Sequence, residues 1–261
     1  MRPAMPTKTM TSKTCDAAAA AAFLADYCAW LLGCGATCIR IEKNARRMAR
    51  AFGLEADLCI MPAHVHVAVG GATAMSRAAR CGISFSLNAR LSRLSWAVAD
   101  GRCGLQGAVR RLERIKRTPP APRAEVLVLA SVANASFCRL FGGDAVAMAI
   151  VLLATMAGFR LRQLMVEAGR DVRAAVFCAA FFSASLSAAG HVFGLGSTPE
   201  IALATSVLYL IPGVPYINAV SDMLDRHYLC AFSRFCDAAV LTGCLAAGLC
   251  GGIFLLDLKW F

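Results

Sequence analysis

The chain has 261 residues, 58% of them hydrophobic, and a net charge of +11. Its mean hydropathy of +0.60 excludes an ordinary soluble domain as the whole architecture. The charge is uneven: residues 1–123 hold 19 Lys and Arg against 7 Asp and Glu, whereas residues 124–261 hold 8 against 9.

A basic half can signal nucleic acid. Here the last cluster, from Arg110 to Arg123, stands just before the first long apolar segment. That is where the cytoplasmic excess of Lys and Arg falls in membrane proteins. Contact with anionic membrane lipid is therefore expected, and nucleic acid is not. The thirteen cysteines are scattered and form no CxxC pair. They read as small buried thiols in a reducing or membrane setting, with no metal site and no cofactor motif.

In chain order, residues 1–15 form a polar terminus expected to be disordered. Ala17–Gly33 has the look of a secretory leader, and Leu31-Leu32-Gly33-Cys34 resembles a lipoprotein cleavage box. Asp16 and Asp26 interrupt the apolar run, however, and the pattern continues into Thr37–Phe52. Two soluble helices, 16–32 and 36–52, are the better reading. Pro62 to Val69 alternates at period two, which predicts a strand. Gly70-Gly71 then signals a hairpin turn, with a return strand over 72–79. His64 and His66 would share one face of that strand, a spacing that can hold metal or simply face a polar interior. Leu87–Val98 and Leu105–Ile115 read as helices, and Thr118–Pro122 as a stiff connector.

Five apolar segments follow, near 125–141, 145–161, 174–193, 201–220 and 238–256. The loop after the second carries Arg160, Arg162, Arg170 and Arg173, and the loop after the fourth carries Arg226 and Arg234. The positive-inside rule then gives a cytoplasmic N-terminus and an external C-terminus. The fold class is thus an α-helical integral membrane protein, with five transmembrane helices over 122–261 preceded by a small cytoplasmic α+β domain over 16–121. The glycines and alanines of the fifth segment predict close helix packing.

The fourth segment contains Pro212, Gly213 and Pro215 within four residues. Prolines interrupt a helix, and irregular backbone at membrane depth survives only against protein or a water-filled cavity. A broken helix followed by Asn218 and Asp222 is how many transporters build a substrate site. A plain proline kink would leave the same residues. Arg139, at the end of the first segment, could attract a carboxylate or snorkel to the interface. Asn134 and Ser131 can hydrogen-bond across helices. No P-loop, dinucleotide fingerprint or nucleophile elbow is present, so a catalytic reading would rest on the strand histidines alone.

Several separated stretches resemble the threonine/serine exporter family. They are Leu31–Ala36 with Ala51–Leu54, Leu87–Arg93 with Asp100-Gly101 and Leu112–Ile115, Phe137–Gly143, and Ile211–Val214 with Asn218, Ala219 and Asp222. The resemblance implies an inner-membrane exporter of small carboxylate-bearing metabolites, such as threonine, serine or a dicarboxylate like succinate. It also implies a second small multispanning subunit, as in split exporters. Pro212, Gly213, Asn218, Asp222 and Arg139 are the expected substrate-binding residues, and Pro215 departs from the family pattern. A membrane-anchored enzyme and a non-transporting scaffold are the competing readings.

Overall fold

The computed structural model describes residues 16–255; the polar segment expected to be disordered lies outside them. The chain forms two compact units. The first takes the chain up to Thr118 together with Asn218–Phe232, and the second takes Pro119–Ile217 and the residues from Ser233 onward.

The first unit is built around α1 (Ala17–Gly33). Asp16 caps it by accepting from the Ala18 and Ala19 amides. The helix is apolar on every side, and Leu24, Tyr27 and Leu31 are fully buried. Such a helix belongs in the middle of a core. α2 (Cys38–Ala51) is amphipathic, turning Ile41, Ala45 and Met48 inward and its arginines outward. β1 (Ala56–Ile60), β2 (His64–Val69) and β3 (Ala72–Arg77) make an antiparallel sheet in that order. Gly70 and Gly71 both take positive φ in the two-residue turn between β2 and β3, as a primed hairpin requires. α3 (Phe85–Ala99) and α4 (Leu105–Lys116) complete the helices of this segment. Lys116 of α4 bonds both Asp26 of α1 and Glu113. Burial opposes its charge, but those two carboxylates outweigh it and raise the ammonium pKa.

β2 turns Val65, Val67 and Val69 into the core, where they are essentially buried. Strand alternation therefore places His64 half-buried and His66 exposed on the opposite side. The expected polar interior for these histidines is not there. Among the described residues, no group of three His, Cys, Asp or Glu side chains is placed to hold a metal. The buried thiols behave as small apolar groups: burial raises the Cys28 thiol and pushes Cys34 up to about 12.

In the second unit, α5 (Arg123–Leu140) and α6 (Ala145–Glu167) form a tight hairpin. Gly142 adopts positive φ, and the Gly143 amide donates to the Cys138 carbonyl at 2.9 Å. α7 (Val172–Val192) packs on α6. α8 (Pro199–Thr205), a 3-10 turn (Leu208–Leu210) and α9 (Gly213–Leu224) follow, and α10 (Tyr228–Leu255) ends the described chain. In α10, Gly248 and Gly252 lie against the backbone and alanines of α7, as small-residue packing requires.

Three helices, α6, α7 and α10, are long and apolar enough to cross a membrane, and the bent pair of α8 and α9 makes up to four. α5, the first of the five expected segments, is not among them. Its 18 residues include Arg123, Glu125 and Arg139, and charge at bilayer depth is costly. Two segments also run longer than expected. α6 continues to Glu167, so Arg160 and Arg162 are helical rather than in a loop, and α10 starts at Tyr228.

Asp144 clasps the end of the α5–α6 hairpin. Its carboxylate accepts from the Ala147 amide at 2.6 Å, and from the Ser197 amide and hydroxyl at 2.6 and 2.9 Å. A Cβ at Gly196 would meet that carboxylate at 2.9 Å. The two amide bonds and the hydroxyl hold the acid down at about 2, from 3.8. Because the folded pKa is depressed, the clasp's stabilisation is complete above about pH 4 and lost as pH falls through about 2. Asp144→Asn should therefore lower thermal stability at pH 7 and match the wild type only below about pH 2. An equal loss at both pH values would show that the carboxylate's charge is not what matters.

Candidate functional site

The break in the fourth apolar segment is real and sharp. The axes on either side of it are bent by 60°. α8 ends at Thr205, the chain makes one 3-10 turn, and Ile211-Pro212 is non-helical before α9 opens at Gly213. Both prolines thus stand at the start of a helix, where a missing N–H costs little. Pro215 falls in the first turn of α9 and introduces no clash of its own. Pro212 is buried, and a Cβ at Gly213 would meet nothing within 4 Å.

Ending α8 early leaves its last carbonyls without helical donors. Asn134 of α5 answers for one of them. Its Nδ2 donates to the Thr205 carbonyl at 3.1 Å and to Thr155 Oγ1 of α6 at 2.7 Å. Tyr209, in the 3-10 turn, places its hydroxyl 3.0 Å from Ser183 Oγ of α7, and Ser183 also donates to the Ala154 carbonyl at 3.0 Å. Gly158 makes room for this. A Cβ there would collide with Ser183 Oγ and the Tyr209 hydroxyl and lie 3.1 Å from the Ala179 carbonyl. Asn134 and Tyr209 also line a cavity of about 470 Å³ between α5 and the break, whose other walls include Phe137, Phe141 and Ile211.

Among the described residues, Arg162 is a partly buried cation of this unit whose charge no carboxylate answers. Glu167 pairs with Arg123 at 2.5 Å and with Arg160 at 3.6 Å. Arg162 has no carboxylate among the described residues, and its Nε is buried without a hydrogen-bond partner. Its guanidinium lies 5.8 Å from the ring of Phe159, which in turn packs 5.7 Å from the ring of Tyr209. Buried donors are almost always satisfied, so an orphan one asks for an explanation.

The five expected site residues are divided between the two units. Pro212 and Gly213 make the break. Arg139 is exposed and donates to the Gly143 carbonyl at 3.2 Å, steadying the hairpin turn. Asn218 and Asp222 belong to the first unit. There Asp222, fully buried, accepts from the Cys38 amide at 2.8 Å, and Asn218 donates to the Gly35 carbonyl at 2.8 Å. Thr37, the N-cap residue of α2, makes no side-chain capping bond, so Asp222 supplies the cap. Asn134 does bond across helices, whereas Ser131 bonds the Leu127 carbonyl of its own helix. Tyr209, Ser183, Thr155 and Arg162 were not among the expected residues. A tyrosine three residues before a Pro-Gly break was the available signal.

These features define a helical membrane protein with a broken helix over a buried polar cluster, an arrangement that secondary transporters use. The family model described as "Putative threonine/serine exporter" (ThrE) matches residues 22–256, and the chain belongs to that family. It is 32% identical over 142 residues to "Probable succinate transporter subunit YjjP" of Escherichia coli (strain K12). It is 30% identical over 142 residues to the protein of the same name from Klebsiella aerogenes. These matches cover 53% of this chain and 54% and 53% of those proteins, so the chain spans about half the length of the curated relatives it matches. No solved structure matches the chain.

Proposed function

We propose that the chain is one subunit of an inner-membrane secondary exporter for small carboxylate-bearing metabolites, working with a second multispanning subunit. Threonine and serine come from the family's description, and succinate from the names of the relatives. The observation that carries this reading is the broken helix beside Arg162, whose buried Nε has no protein partner. A guanidinium with spare donors suits a carboxylate. Pro212 and Gly213 open the helix, and Arg139, at the opposite end of α6 from Arg162, is proposed to meet the acid at another point on its path. Asn218 and Asp222, carried by the same α9, are proposed as further substrate-binding residues, with Asp222 the group that couples a proton. α5 counts as a fifth span, since it exposes Val128, Leu129, Val132 and Leu140, which suits a lipid-facing side. The N-terminus is then cytoplasmic and the C-terminus external.

Export of serine, threonine and succinate from cells, divided by the amount of protein in the membrane, tests the proposal. Export should require co-expression of a partner subunit. Gly213→Leu meets no neighbour within 4 Å of its Cβ, so it should insert normally and still depress export per molecule. Asp222→Asn should change the pH dependence if a proton is coupled. A normal ratio for Gly213→Leu would remove the break from the mechanism, and full export by the purified chain alone would refute the partner. A reporter after Phe261 should read external and one at Gly169 internal; the reverse sinks the five-span arrangement.

A further inference from the structure

We infer that the groove between α3 and α4 of the first unit binds a small soluble ligand carrying a polyphosphate group. Arg90, Arg93, Arg102, Arg111 and Arg114 line a concavity of about 700 Å³, and among the described residues no acidic side chain is part of its lining. The placement follows from helical spacing. Arg90 and Arg93 are three apart on α3, and Arg111 and Arg114 are three apart on α4, so each helix turns a pair to the same groove. Arg102 is held by Asp100, and Arg90 donates to Thr118 Oγ1 at 3.1 Å. Arg93, Arg111 and Arg114 have no carboxylate partner among the described residues.

Like charges gathered in one hollow repel one another, and a bound polyanion offsets that repulsion. Guanidinium groups recognise phosphate oxygens through paired N–H donors. The hollow has the volume of a small-molecule site, whereas a bilayer surface asks for a flat or convex basic face. Its wall is also partly apolar. Trp96, 53% exposed, stands in it with the Arg47 guanidinium 3.7 Å from the ring centroid. A ligand with a ring as well as phosphates, such as a nucleoside polyphosphate, fits this combination. The inference is independent of the transported substrate, since every residue it uses lies in the first unit.

The test is binding of inorganic tripolyphosphate and of ATP to the purified full chain in neutral detergent at about 0.15 M ionic strength. Vesicles of phosphatidylcholine with and without phosphatidylglycerol form the second arm. Arg111→Gln with Arg114→Gln is compared with Arg46→Gln and Arg50→Gln, which removes the same charge from a second basic hollow of about 590 Å³ on α2, outside the groove and lined also by Lys43 and Arg47. Saturable tripolyphosphate binding that weakens about tenfold or more in the α4 pair, and less than about twofold in the α2 pair, supports the site. Equal weakening in both pairs would show diffuse charge and overturn it. Binding to anionic vesicles alone, with none to tripolyphosphate or ATP, would also overturn it and assign the arginines to the membrane surface.

Discussion

Gly158→Val is expected to remove most of the folded protein from the membrane. The added carbons would enter space held by Ser183 Oγ and the Tyr209 hydroxyl, with the Ala179 carbonyl close behind. None of these can retreat cheaply. Ser183 also bonds the Ala154 carbonyl, and the Tyr209 ring is packed on Phe159. Overpacking of this kind costs roughly 1–3 kcal/mol and at times more. The milder Gly158→Ala makes the cause separable. In a Ser183→Ala and Tyr209→Phe background both obstructing oxygens are gone, so Gly158→Ala should cost much less than in the wild type. Protein level and thermal unfolding in detergent are the measurements. An undiminished cost in that background would move the fault to the Ala179 carbonyl and the helix backbone.

Arg162→Leu should have the opposite profile. It removes a buried donor that the protein itself does not satisfy, so stability should hold or rise. Export should nevertheless collapse, since a hydrogen bond to a charged group is worth about 1.5–3 kcal/mol, roughly ten- to a hundredfold in affinity. Retained stability with lost export would separate Arg162 from a structural cation. Loss of both together, or normal export, would end its role as the carboxylate's partner.

What the sequence shows and what it hides divide along physical lines. Local signals are strong where a single residue dictates backbone geometry. Gly70-Gly71 marks the hairpin turn, Gly142-Gly143 the α5–α6 turn, and Pro212-Gly213 the bend. Alternating valines likewise reveal β2 and its buried face. Charge misleads at the ends of membrane segments. Arg160 and Arg162 read as a loop after α6, yet arginine is a good helix former and the helix continues through them. The polar cluster is hidden for a different reason: Asn134, Thr155, Ser183 and Tyr209 come from four separate elements, and no spacing in the chain foretells their meeting. The bond from Cys38 to Asp222 joins residues 184 apart, and the sequence around Thr37 offers no hint that its helix is capped from so far away.

That distant cap has a consequence for synthesis. Cys230 lies in the core of the first unit and its thiol reaches the Ile60 carbonyl at 3.5 Å, while Asp222 and Asn218 close the entrance to α2. These residues leave the ribosome only after α5 to α8 have been made. The first unit therefore cannot finish folding when its own first stretch emerges. It waits, with one end of α2 bare and a gap in its core, through the insertion of the intervening helices. Nascent chains in that interval are open to proteases and chaperones, and a fragment cut at Thr118 would be fixed permanently at the same unfinished stage.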